Sequence, residues 1–179
     1  MATHLVIDFE TLGNRPDTAV LGLGAVLFGR QKILDEKLWY FDLQGQLEVG
    51  RRSVNAETLV WWMGQSDKAR NIFDKIATGG MLLKDFAPEF VEFAKRGGPD
   101  VRVWANDTAF DTSIAEDILI KLGHRPPWKF WNRRCYRTMK ACFDIDRKFE
   151  GTKHDPIDDS RHQARCLMEF WAKNPGAEK

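Results

Sequence analysis

The chain has 179 residues, 43% hydrophobic and 30% charged, with 27 Lys and Arg against 26 Asp and Glu. That length and mixture bury a full core without disulfides or structural metals and exclude wholesale disorder. A net charge of +1 excludes a uniformly basic nucleic-acid coat, but a basic patch can be balanced by an acidic one elsewhere.

The start MATHLVIDFET carries no basic stretch followed by a long apolar run, and no window resembles a membrane span. Cys135, Cys142 and Cys166 are odd in number and lack C-x-x-C spacing, so they read as reduced thiols. No repeat or linker interrupts the chain, and the expectation is one cytoplasmic domain over residues 1–179 with no membrane partner.

In chain order, His4–Glu10, Ala19–Phe28 and Lys37–Leu43 read as strands separated by Gly13-Asn14-Arg15-Pro16 and Gly29-Arg30-Gln31, an antiparallel meander. From Asn55, an expected N-cap, the period becomes helical, with two stretches up to about Ala77 and a third over about Leu82–Lys95. Val101–Ala105 is a short apolar strand, followed by a helix from about Ala109 to Leu122 with Phe110, Ile114, Ile118 and Leu122 four apart. His124–Arg137 reads as a loop rich in Pro, Trp and Arg. The last helix starts at Asp155-Pro156 and carries Ile157, Ala164, Leu167 and Trp171 on one stripe. Strands first, then alternating helix and strand, predict an α/β fold with a mixed sheet flanked by helices.

Three groups of acids stand out. Asp8 and Glu10 end the first strand two residues apart, so alternation puts both on one face. Two like charges there repel and lose hydration unless a cation lies between them, and hard oxygen ligands suit Mg²⁺ or Mn²⁺. The alternative is that the strand ends there and both face water. Asp111, at the start of a helix, reads equally as a cap. In His154-Asp155-Pro156-Ile157-Asp158-Asp159, capping accounts for Asp155 and Asp158, while His154 and Asp159 are free to converge on one site.

Between His124 and Lys153 lie nine Lys and Arg against Asp144, Asp146 and Glu150, interleaved with Trp128, Phe130, Trp131 and Tyr136. Cations track a phosphate backbone and aromatic faces stack unpaired bases; a solvated surface over packed Trp residues is the alternative. Trp61 and Trp62, about 100° apart on a helix, cannot share one core face, so one is expected in the core and the other at least partly exposed. Gly22-Leu23-Gly24 lacks the third glycine of a dinucleotide loop, and no Gly-Lys-Ser/Thr phosphate loop occurs.

Asp8-Phe9-Glu10-Thr11, then Asn106-Asp107-Thr108-Ala109-Phe110-Asp111, then His154 followed five positions later by Asp159 resemble the three motifs of the DEDDh 3′–5′ exonucleases. The likeness is closer to the branch of phage exonuclease A and exonuclease VIII-type proteins that includes a mycobacterial exoribonuclease. Thr11-Leu12-Gly13, Gly24-Ala25-Val26, Thr58-x-x-Trp61-Trp62-x-x-Gln65 and Phe130-Trp131-Asn132-x-Arg134 before Arg137-Thr138 carry that closer match. The resemblance spans Leu5 to about Trp171 and implies a ribonuclease H-like, mixed five-stranded sheet.

By position, the resemblance makes Asp8, Glu10, Asp111 and Asp159 the ligands of two divalent ions, Mg²⁺ or Mn²⁺, with Asp8 bridging them, and His154 the general base. His162, three residues after Asp159, competes for that last role; His4 and His124 read as ordinary strand and loop residues. Thr11, Leu12, Trp61, Trp62, Gln65, Asn106, Phe110, Trp131, Arg134 and Arg137 become candidate substrate contacts, Leu12 as an apolar wedge between terminal bases. The implied activity is 3′–5′ hydrolysis of single-stranded DNA ends, with a 3′–5′ exoribonuclease as the nearest rival. A non-catalytic nucleic-acid-binding module and a ribonuclease H-type endonuclease are further rivals. Relatives of this kind also dimerise, so a homodimer is an admissible assembly.

Overall fold

The structure, a computed structural model, describes residues 3–145 and 147–177. Strands β1 (His4–Thr11), β2 (Val20–Phe28) and β3 (Ile33–Tyr40) form an antiparallel meander, and β4 (Arg102–Ala105) and β5 (Arg133–Cys135) add to it in parallel. The order across the five-stranded sheet is β3-β2-β1-β4-β5. Each residue of β2, VLGLGAVLF, is buried, as a strand covered on both faces requires.

Helices α4 (Leu83–Lys95) and α5 (Ser113–Lys121) cover one face. There Leu5, Ile7, Leu23 and Ala25 pack with Phe86, Phe90, Ile114 and Ile118. Helix α7 (Pro156–Lys173) covers the other, where Val6, Val26, Phe28 and Trp104 meet Ala164, Leu167 and Trp171. At the end of β1, α2 (Ala56–Met63) and α3 (Asp67–Ala77) enclose a third cluster of Leu12, Leu21, Trp62, Ala69 and Ile72.

Several boundaries differ from the sequence reading. The third strand begins at Ile33 and stops at Tyr40 rather than running to Leu43. Leu43 instead opens a short helix, α1 (Leu43–Glu48), whose N-cap Asp42 accepts from the Gly45 amide. The segment 124–137 is not all loop, because a 3₁₀ turn at Phe130–Asn132 leads into β5. Beyond it Cys135 caps helix α6 (Tyr136–Phe143) through its sulfur. Three-residue β5 has no alternation to read, and its arginines disguise it as surface. The helix expected from Ala109 begins instead as a π-helical turn, Thr108–Thr112, before α5. Among the described residues no helix is long and apolar enough to cross a membrane.

Candidate active site

The site forms where β1 and β4 part company. They pair only through His4–Val6 and Arg102–Trp104. Beyond that, the amide of Phe9 donates to Asp111 Oδ1 at 2.9 Å. The π-helical turn delivers this carboxylate: Asp107 is the N-cap, accepting from the Ala109 amide, and Asp111, 3% exposed, lies inside the turn. The cap reading therefore applies to Asp107, and Asp111 does a different job.

Helix α7 brings the third group. Across the sheet Asp8 pairs with Gly24, and a Cβ on Gly24 would overlap the carbonyl group of Pro156. Only glycine lets the first turn of α7 approach this closely. Ser160 Oγ then donates to the Gly24 carbonyl at 2.9 Å, seating Asp159 above the end of β1. Asp155 accepts from the amides of Ile157 and Asp158 as the N-cap.

Asp8, Glu10, Asp111, His154 and Asp159 line one open cavity of about 390 Å³, together with Asn106, Phe110 and Arg137. One oxygen each of Glu10 and Asp159 and a ring nitrogen of His154 lie within 4.8 Å of one another. His154 Nδ1 is 4.0 Å from Glu10 Oε1. The His154 amide donates to Asp159 Oδ2 at 2.7 Å, with His154 in the left-handed region at φ 65°.

Burial and mutual repulsion dominate the electrostatics. Asp8 is pushed well above the ordinary carboxyl range by burial, then by Asp111, Glu10 and Asp159. Glu10 is pushed well up by burial, then by Asp159 and Asp111. Burial raises Asp111 to about 7 against the lowering effect of the Phe9 amide, and Asp159 to about 6 against that of the His154 amide. Acids that cost this much to ionise together form the donor set a divalent cation satisfies. Burial and then the Lys153 charge depress His154, keeping its ring neutral at neutral pH.

The other expected contacts divide. Trp62, 2% exposed, belongs to the core and donates from Nε1 to the Thr11 carbonyl at 2.8 Å; Trp61, 44% exposed, packs edge-to-face on the His154 ring at 4.9 Å. Leu12 is buried against Trp62 and Leu21 rather than presented as a wedge, and Thr11 is buried with its hydroxyl donating to the Gly13 carbonyl. Partly buried Gln65 donates to the Trp61 carbonyl. Trp131 and Arg134 lie outside the cavity, at the entry to β5, with Trp131 and Phe130 exposed and paired edge-to-face. Part of the basic segment is answered from elsewhere: Lys129 pairs with Asp100, Arg133 with Glu116 and Arg137 with Asp107. Asp146, one of its acids, lies outside the described residues.

Sequence reasoning missed Gln163, whose Nε2 donates to Asp8 Oδ1 at 2.8 Å, and the cavity residue Phe149, whereas Tyr136 and Lys140 of the basic, aromatic stretch do line the cavity. The signal for Gln163 was its place four residues after Asp159, on the same side of α7. His162 also reaches the cavity, but its ring packs at a tilt against Phe149 and its Nε2 lies 3.6 Å from Cys166 Sγ. A separate hollow of about 340 Å³, between α1 and the ends of α4 and α5, has a mainly apolar wall with Asp42, Arg52 and Lys121 among its residues, and holds none of these acids.

Comparison with known proteins agrees with this architecture. The Rv2179c-like 3′–5′ exoribonuclease domain matches residues 3–171. The exodeoxyribonuclease of Enterobacteria phage T4 is 26% identical, over 74% of this chain and 68% of its own. Escherichia coli exonuclease I, solved with a 5cy-dT13 oligonucleotide, superposes with a TM-score of 0.69 at 14% identity. That match covers 98% of this chain, which spans 42% of exonuclease I. The nuclease domain of 3′hExo, a DEDDh family member bound to rAMP, gives 0.66 at 15% identity, covering 99% of this chain and 94% of its own. The chain belongs to the Rv2179c-like 3′–5′ exoribonuclease domain family.

Proposed function

We propose that the protein, acting as one domain over residues 1–179, is a metal-dependent 3′–5′ exonuclease that releases nucleoside 5′-monophosphates from single-stranded DNA. The observation that carries this reading is the convergence of Asp8, Glu10, Asp111 and Asp159 on one open cavity beside a half-exposed, neutral His154. The four carboxylates would hold two divalent ions, Mg²⁺ or Mn²⁺. When bound, such ions supply a water acidic enough to react near neutral pH and counter-charge for the leaving oxygen.

His154 accepts the proton of the attacking water at a ring nitrogen, because burial and Lys153 keep that ring unprotonated. Attack of the water oxygen on the last phosphorus breaks its bond to the 3′-oxygen of the preceding nucleotide. The leaving 3′-oxygen takes up one proton, from His154 or from solvent to which His154 gives its own, so the shortened strand ends in a 3′-hydroxyl. Arg137 and Lys140, lining the cavity, are placed to hold phosphates, and Phe110 offers a ring for the terminal base. Trp131 and Arg134 stand five and two residues before cavity-lining Tyr136 and are proposed to meet the strand further from its end.

RNA is the second reading, favoured by the exoribonuclease description of the family; the T4 relative favours DNA. Matched DNA and RNA oligonucleotides and a circular single strand, each with Mg²⁺ or Mn²⁺, separate the readings. Faster loss of linear DNA with the circle intact supports the proposal, and faster loss of RNA selects the second reading. A cut circle indicates an endonuclease, and binding without cleavage a non-catalytic module.

A further inference from the structure

Gln163 is only 5% exposed, and its side chain makes one hydrogen bond, from Nε2 to Asp8 Oδ1 at 2.8 Å. Its other polar atom, Oε1, is buried without a hydrogen-bond donor among the described residues. A buried acceptor without a donor has given up its hydrogen bonds to water for nothing, so this one calls for an explanation. Gln163 also lines the cavity that holds the four acids. With Oε1 sealed from solvent, what Gln163 offers the cavity is the donor it holds on Asp8.

We infer that Gln163 is a positioning residue for metal binding: its amide, buried at the cavity wall, holds Asp8 in the rotamer that ligates. The inference rests on the reading of Asp8 as a metal ligand. The amide orientation is decisive, because the Nε2 donor faces Asp8 and fixes which way the carboxylate points. Position on a helix adds precision: α7 carries Asp159 and Gln163 one turn apart, so the ligand and the support of another ligand move as one body.

The test is calorimetric titration of Mn²⁺ into metal-free wild type, Gln163→Leu, Gln163→Met and Asp8→Ala, with melting temperatures measured without metal. Weakening of Mn²⁺ binding by about 10–100-fold in both Gln163 variants is expected. Their metal-free melting temperatures should stay near that of the wild type, because each variant removes one orphaned buried acceptor while leaving Asp8 Oδ1 without its donor. Excess Mn²⁺ should restore turnover in the variants, which no loss of folding would allow. Wild-type Mn²⁺ affinity in Gln163→Leu or Gln163→Met, while Asp8→Ala loses binding, overturns the inference alone. Wild-type affinity in Asp8→Ala overturns the metal-ligand reading beneath it. Met keeps the length and flexibility of Gln, so the test stands if the Leu variant fails to fold.

Discussion

The amide of His154 donates to the Asp159 carboxylate at 2.7 Å, tying the proposed base to a proposed ligand through the backbone and leaving the imidazole unencumbered by that bond. His154 holds φ at 65° to do so, a conformation that costs a non-glycine residue on the order of 1–3 kcal/mol. Asn tolerates that conformation better than most residues. His154→Asn should therefore keep the backbone bond, the fold and Mn²⁺ affinity while lowering single-turnover hydrolysis by about 10²–10⁴-fold. A loss of Mn²⁺ affinity as large as the loss of rate would make His154 a ligand instead.

The raised carboxyls set the pH dependence of the metal-free fold. Asp111 at about 7 and Asp159 at about 6, with Asp8 and Glu10 also raised, bind more protons folded than unfolded. Their contribution is fully present below the unfolded carboxyl range and is lost as pH rises through about 6 and 7. Glu36 and Glu89, held low first by hydrogen bonds from Arg161 and Lys37, titrate below that window. Metal-free protein should melt at a higher temperature at pH 5.5 than at pH 8, and Mg²⁺ should raise the value at pH 8 most. A metal-free melting temperature that climbs between those two pH values contradicts the arrangement.

Gly24 supports the site from below. Replacing it with Ala drives a methyl into the Pro156 carbonyl and should cost about 1–3 kcal/mol of stability. Because α7 carries Asp159 and Gln163, metal affinity should fall with it, read by calorimetry at a temperature where the variant is folded. Gly29, with open space around it, is the control, and its Ala variant should leave both quantities unchanged.

The two adjacent tryptophans should separate stability from activity. Trp62→Ala empties a buried site and leaves the Thr11 carbonyl without its donor, costing about 3–5 kcal/mol in chemical denaturation. Trp61→Ala removes a half-exposed ring that packs on His154. It should cost less than about 1 kcal/mol and lower turnover. Equal destabilisation by the two changes would contradict their different burial.

The meander, the α7 cap and the buried and exposed tryptophans were readable from periodicity and capping residues, because each rests on local rules. Helices α1 and α6 and strand β5 were not. They are short, and their sequences contain no run long enough to show a period. The acids were visible as residue types, but their convergence depends on Gly24 admitting α7 and on Asp111 bonding the Phe9 amide 102 residues away. Leu12 illustrates the opposite case: its motif resembles a wedge, yet in this structure Trp62 and Leu21 enclose it.

Hydrolysis from the 3′ end through the acid cluster is the proposed activity. The most direct measurement is a time course on 5′-labelled single-stranded DNA with Mg²⁺ or Mn²⁺, using wild type and folded Asp8→Ala and Asp159→Ala variants. Wild type should shorten the labelled strand one nucleotide at a time and release 5′-monophosphates, and both variants and chelated wild type should leave it intact. Undiminished shortening by Asp8→Ala, or release of the labelled 5′ nucleotide first, would contradict the account.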